Sequence, residues 1–427
     1  MWTLAPSPLY ATPSGWNALL PKRQPRPPLT SDIRVDFLVV GAGYAGLGAA
    51  RRLGELDPDA RIAVLDAGVV GEGAAGRNSG FMQPVRPSDA AHRFNGLADA
   101  GHRGLDLIRR LIEENGIDCG LERAGALRAA ATARGEGSLR ASAQSYQSAG
   151  MAVELLDREE LQRRIGTPYY HFALFTPESW FVQPAALIRG LAETLPASVE
   201  LYEKTPITHL TQDAGGWTAI TDGGSVRAKT VILAANAFAR QLGFLKDRTV
   251  AVYTYAGLTP TLSGQALAEL GEDPVWGVVP ALKFGTTMRK TRDGRLLVRS
   301  AYSYEREASA DIVRRKLLSA AHKRYPLAAA GGFEHQWGGV IAITLNDSPF
   351  CGEVTDGLYA ILGCNGSGIM KFTLLGHELA ELIKGANRAP DSIAAYGQAS
   401  RMPPEPFRSI GYHARTAYGV WRTGKDV

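Results

Sequence analysis

The chain predicts an α/β fold: a Rossmann-like nucleotide-binding domain with discontinuous segments, plus an α+β second lobe on a mixed antiparallel sheet. Three observations predict it. First, the apolar run Phe37-Leu-Val-Val40 leads through Gly41, Gly43 and Gly46 into a helix-forming segment. That is the order of a strand, a tight phosphate-binding turn and a helix. Second, residues 61–66 read as the next strand and end in Asp66, twenty residues beyond Gly46. An acid at that place grips ribose hydroxyls and disfavours a 2′-phosphate, which argues against NADP. Third, residues 357–384 repeat strand, glycine turn and helix, so the late part of the chain returns to the first domain.

Within the first motif, Gly41 permits the sharp turn, Gly43 lets backbone approach a pyrophosphate, and Gly46 lets helix and strand pack closely. The helix N-terminus then offers free N–H groups and partial positive charge to the anion.

Composition bounds the rest. With 427 residues, two lobes are expected rather than one core, and 45% hydrophobic with 21% charged residues is ordinary for a globular chain. A net charge of +5 is a mild excess at this length. No basic run is interleaved with aromatics, so nucleic acid is not an expected partner. Cys119, Cys351 and Cys364 are odd in number and unpatterned, which predicts no disulfide framework, no metal site and a cytoplasmic setting. No apolar run is long enough for a membrane span, and no signal peptide is expected.

Residues 1–32 are rich in Pro and aromatics and form neither helix nor strand by pattern. Two readings stand: a disordered leader, or an arm ordered against the body or another subunit. Helical periods follow at 105–115, 136–150, 184–195, 311–325 and 372–384, and strands at 124–131, 199–203, 207–210, 217–221, 229–235 and 357–362. Asp293-Gly294 between runs 286–289 and 295–299 signals a hairpin. The helix at 311–325 is basic; either it presents a solvated face or it docks on anionic membrane. The expected division is an arm (1–32), a nucleotide domain (33–117, 173–249 and 339–398), a substrate domain (118–172 and 250–338) and a tail (399–427).

The segment Gly71-Glu-Gly-Ala-Ala-Gly-Arg-Asn-Ser-Gly80 resembles a loop of the FAD-dependent amine and amino-acid oxidoreductases, which include D-amino acid, glycine and sarcosine oxidases. In that family the loop follows the ribose acid and runs past the flavin in a GxSGRNGG-like pattern. Ala75 stands where Ser is common and Ser79 where Gly is common. Four further stretches resemble the family in the right order: Phe181-Val-Gln-Pro-Ala185, Val231 to Phe238, Trp337 to Pro349, and Gly357 to Met370. Asn236 is typical of the γ-glutamylputrescine oxidase branch, to which the likeness is closest. In the closing motif Asn365 and Ser367 replace the family's usual Ser and His. The likeness spans residues 33–398.

The resemblance implies FAD as cofactor, held by Gly41, Gly43, Tyr44, Ala45, Gly46, Asp66, Ala67, Gly76, Arg77, Asn78, Ser79, Gly80, Asn236, Gly363, Asn365, Gly366, Ser367, Gly368, Ile369 and Met370. Sarcosine oxidases attach flavin through a cysteine before the final segment; residues 340–344 contain none, so non-covalent FAD is expected. It implies hydride transfer from the carbon of a primary or secondary amine, a polyamine derivative or amino acid, to flavin N5, with the imine then hydrolysed. Dioxygen and a quinone are the alternative acceptors, the latter fitting a D-amino acid or imino acid dehydrogenase. A flavin-binding subunit without turnover is the third reading. Tyr253, Tyr255, Trp337 and Ser367 are the candidate catalytic residues, the aromatics as an amine box. Arg289 and Arg299 are candidate carboxylate anchors, His335 a candidate base, and Lys371 lies one residue out of register with the family's carboxylate-binding lysine.

Overall fold

The computed structural model describes residues 2–3, 10, 12–84, 94–282 and 284–424. Its parallel layer has the order Val199–Tyr202, Ile62–Leu65, Ile33–Val40, Gly224–Leu233, Leu358–Leu362. The strands Ile62–Leu65 and Leu358–Leu362 are buried almost throughout, as continuous apolar strands covered on both faces must be. Gly224–Leu233 is long enough to serve two neighbours along one edge. Its first half pairs antiparallel with Gly216–Thr221, itself paired to Ile207–Asp213, and its last residues pair with Leu358–Leu362.

Helices Tyr44–Leu56 and Ile369–Ile383 pack together on this layer. Their approach is backbone to backbone. A Cβ on Gly376 would stand 2.2 Å from the Ala45 carbonyl oxygen, and one on Gly48 would stand 2.7 Å from that of Thr373. This contact ties the returning late segment to the first nucleotide-binding unit.

The second lobe is an eight-stranded sheet in the order His335–Ile343, Val250–Leu258, Leu296–Tyr304, Thr287–Lys290, Trp276–Pro280, Ala126–Ala130, Phe172–Thr176, Glu154–Asp157. All its pairs are antiparallel except Trp276–Pro280 with Ala126–Ala130. Gly294 turns the expected hairpin with φ +77°. Two strands cross the expected domain boundaries. Phe172–Thr176 belongs wholly to this sheet because it pairs with Ala126–Ala130, and His335–Ile343 runs through position 339 as one strand beside Val250–Leu258.

The helix expected at 311–325 spans Ala310–His322, with Val313, Leu317, Ala320 and Ala321 buried against the outer face of the sheet. Residues 407–423, expected only as tail, form a helix. Among the described residues no helix is long and apolar enough to cross a membrane.

Candidate active site

A cavity of about 1760 Å³ lies between the two sheets. That exceeds the several hundred cubic ångströms usual for one small ligand, and leaves room for a dinucleotide and a substrate. The first β–α corner forms one end. Gly41 has φ +104°, and a Cβ on Gly46 would lie 1.9 Å from the Gly41 carbonyl oxygen. Gly43 differs: a Cβ there would meet no protein atom within 4 Å and would project into open space. The fold therefore needs Gly41 and Gly46, whereas Gly43 leaves a gap of the kind a pyrophosphate requires.

Asp66 follows the second strand and lines the cavity. Its carboxylate accepts from the N–H groups of Ala42 and Gly68, both at 2.8 Å. It thereby ties the turn to the second strand and still faces the space a ribose would occupy.

The loop through residues 71–80 is shaped mainly by its own side chains. The Arg77 guanidinium, buried and held below its usual pKa by desolvation, donates to the carbonyls of Glu72, Gly338 and Thr12 at 2.6, 2.9 and 2.8 Å. It stacks on Tyr10, 3.8 Å from the ring centroid. Arg77 thus staples the loop to the second sheet and to the N-terminal arm. Asn78 bends the loop, donating to Ala75 and accepting from the Gly80 N–H. Gly76 and Gly80 are set by close backbone contacts with Gly71 and Val182.

The arm itself is built into the site. Ser14 donates to the Gly76 carbonyl, Trp16 to that of Asn78 and Asn17 to that of Gly71. Further along, Arg23 pairs with the buried carboxylate of Glu203. The bonds from Ser14, Trp16 and Asn17 are side chain to backbone, which leaves no periodic trace in sequence.

The closing motif completes the nucleotide side. Asn236, at φ +46°, accepts from the N–H groups of Gly363 and Cys364 at 3.1 and 3.3 Å. Asn365 accepts from the Thr344 N–H and donates to the carbonyls of Asp347 and Gly363. Both amides fold the turn, and both residues also line the cavity. Gly366 and Ser367 are exposed to it. Helix Ile369–Ile383 starts there with no side-chain cap, so its first N–H groups lack intrahelical partners and carry the positive end of the helix dipole. Lys371 also lines the cavity and donates to the Cys364 carbonyl at 2.8 Å.

On the substrate side several expectations are corrected. Tyr253 is buried in the outer core and does not line the cavity. Tyr255 packs in the same core but also lines the cavity, with its hydroxyl 2.6 Å from both Ser303 Oγ and the Ala308 N–H. For Tyr253 the reason is strand parity: side chains alternate between faces, and Val250, Val252, Thr254 and Ala256 line the cavity from the opposite face. Trp337 is buried against Trp16 and donates to the Arg77 carbonyl at 3.0 Å. It supports the loop and does not line the cavity. Of the four candidate catalytic residues Tyr255 and Ser367 line the cavity, and the Ser367 hydroxyl lies 3.5 Å from the Cys364 carbonyl oxygen. His335 stands outside the lining, 3.9 Å from Glu334.

The two arginines separate clearly. Arg289 is buried and donates to the carbonyls of Val182 and Ser79, between the rings of Trp16 and Phe181. Desolvation lowers its pKa to about 10. It fastens the loop and cannot reach a substrate. Arg299 lines the cavity, held by Thr254 Oγ1 at 2.8 Å and Thr287 Oγ1 at 3.4 Å, with the Tyr302 ring beside it. Among the described residues it has no carboxylate partner.

The residues present fit FAD: the gap over Gly43, the acid at Asp66, the uncapped helix at Gly368 and a cavity large enough for both nucleotide and ring. Comparison with known proteins agrees. The profile of the DAO family, FAD dependent oxidoreductase, matches residues 36–382. The chain is 28% identical over 408 residues to a probable oxidoreductase, OrdL, of Rhizobium meliloti (strain 1021), covering 91% of this chain and 92% of that protein. It is 27% identical over 436 residues to γ-glutamylputrescine oxidoreductase of Escherichia coli (strain K12), covering 96% and 99%. The crystal structure of glycine oxidase from Geobacillus kaustophilus superimposes with a TM-score of 0.74 at 22% identity, covering 87% of this chain and 100% of that one, a likeness of fold. The chain belongs to the DAO family of FAD-dependent oxidoreductases.

Proposed function

We propose that the protein oxidises the C–N bond of a primary or secondary amine that carries a carboxylate, an amino acid or a derivative of one. The observation that carries this reading is Arg299: a guanidinium on the cavity face, positioned by two threonine hydroxyls and with no carboxylate partner among the described residues. A carboxylate bound there gains charge-assisted, bidentate hydrogen bonds. When bound, FAD supplies a hydride acceptor for the carbon next to the nitrogen, and the imine product hydrolyses in water.

The chain's own residues do the rest. Arg299 binds and orients the substrate. Val250, Val252, Ile341 and Ile343 give the cavity apolar walls, and an apolar wall disfavours an ammonium ion by desolvation, leaving the amine lone pair available. No histidine is among the described residues lining the cavity, so no side chain is assigned a proton-transfer role. The relatives named for γ-glutamylputrescine and glycine support amine chemistry. The guanidinium repels an unmodified diamine.

A matched pair of amines tests the reading: an amino acid and the amine left when its carboxylate is removed. The carboxylated member should bleach the flavin under anaerobic conditions with a KM at least about tenfold lower. Arg299→Met should erase the difference. Equal KM values for both members in the wild-type protein would rule the reading out.

A further inference from the structure

Arg299 is not alone on the cavity face of the second sheet. It pairs in register with Thr287; Met288 pairs with Val278, which puts Thr287 opposite Val279; and Val279 pairs with Arg128. Arg299, Thr287, Val279 and Arg128 therefore form one cross-strand row, and all four line the cavity. Three strand spacings of about 4.8 Å separate the two arginine backbones by roughly 14 Å.

Arg128 sits between the sheet and helix Ala133–Ser148. Its guanidinium donates to the Ala281 carbonyl at 3.0 Å and to Ser142 Oγ at 3.4 Å. Those partners are neutral, and among the described residues no carboxylate pairs with it. Desolvation holds its pKa below the ordinary value. A guanidinium removed from water without a counter-charge is costly to keep, and an anionic ligand group would offset that cost. The lining carboxylates, Asp66, Glu72 and Asp347, belong to the nucleotide side. On the other side the charged lining comes from arginines, with Arg408, Arg415 and Arg422 of helix Phe407–Thr423 joining Arg128 and Arg299.

We propose that Arg128 forms a second anion subsite in the same row as Arg299, so that the substrate is an amine with two acidic groups, one near the oxidised carbon and one at its far end. This deepens the reading of Arg299 as a carboxylate anchor and rests on it. Val279 and Thr287 form the floor between the two subsites, suited to an aliphatic spacer.

Unreactive probes test the spacing directly. Succinate, adipate and azelate are titrated into oxidised holoprotein beside butyrate, hexanoate and nonanoate, with perturbation of the flavin spectrum as the readout. At least one diacid should bind about tenfold or more tighter than the monoacid of equal length. Arg128→Met should remove that advantage and leave monoacid affinity unchanged, and Arg128→Lys should retain part of it. Equal affinity of diacid and monoacid at every length, with the monoacids still binding, overturns the second subsite alone. An advantage that survives Arg128→Met also overturns it. If neither class perturbs the flavin, the Arg299 anchor fails, and the second subsite with it.

Discussion

Trp16 donates its indole N–H to the carbonyl oxygen of Asn78 across 2.8 Å. The bond joins a proline-rich arm to the loop that borders the flavin space, and it is flanked by equivalent bonds from Ser14 and Asn17. The buried indole also meets Trp337 edge-on at 6.2 Å between ring centroids. Trp16→Ala should therefore destabilise the holoprotein by about 3–5 kcal/mol, as large aromatic truncations do, and speed FAD release. Urea titration and the rate of flavin fluorescence recovery on dilution check the two parts. Unchanged release would mean that the arm does not shape the cofactor site.

The three motif glycines should behave differently. A methyl on Gly46 would meet the Gly41 carbonyl oxygen at 1.9 Å, so Gly46→Ala should prevent folding or displace the helix. A side chain on Gly43 meets nothing in the protein. Gly43→Val should leave secondary structure intact and cut FAD affinity at least about tenfold by occupying pyrophosphate space. Circular dichroism of the apoprotein beside an FAD titration separates the two outcomes.

Tyr253 faces the outer core and Arg299 the cavity. Tyr253→Phe should leave kcat/KM within about twofold, since the hydroxyl lies away from substrate. Arg299→Met should lower kcat/KM for carboxylated amines by roughly 10–100-fold, the worth of one charged hydrogen-bonded contact. Steady-state kinetics on both variants decides the assignment of faces.

His377 gives the stability a pH dependence. Burial, then the nearby Arg52 guanidinium, holds its imidazole below the ordinary value, against the opposing pull of Glu381. The unfolded chain thus binds a proton more readily than the folded one. Stability should be intact above the unfolded-state value near 6.5 and should fall as pH drops below it. His377→Gln should flatten that slope. Urea midpoints between about pH 5 and 8 check it; identical slopes for the two proteins would contradict the assignment.

Much of the nucleotide side was legible because local chemistry forces it. A turn needing Gly41 and Gly46 admits few other residues, and the strand ending in Asp66 is short, apolar and unambiguous. The substrate side was not, for a reason visible in Val250–Leu258. That strand is covered on both faces, so Val252 and Tyr253 are equally apolar, and a one-residue parity error exchanges the faces. The arm was illegible because its order comes from single side-chain bonds to distant carbonyls. The terminal helix had a signal in the spacing of Phe407, Ile410, Tyr418 and Trp421, weakened by Gly411 and Gly419, which lower helix propensity.

The most direct test of the account is anaerobic mixing of the yellow holoprotein with carboxylated amines, followed by flavin absorbance and analysis of the product. The account predicts that one such amine bleaches the flavin stoichiometrically and leaves the corresponding carbonyl compound. A flavin that dithionite reduces but that no amine or amino acid bleaches would contradict it.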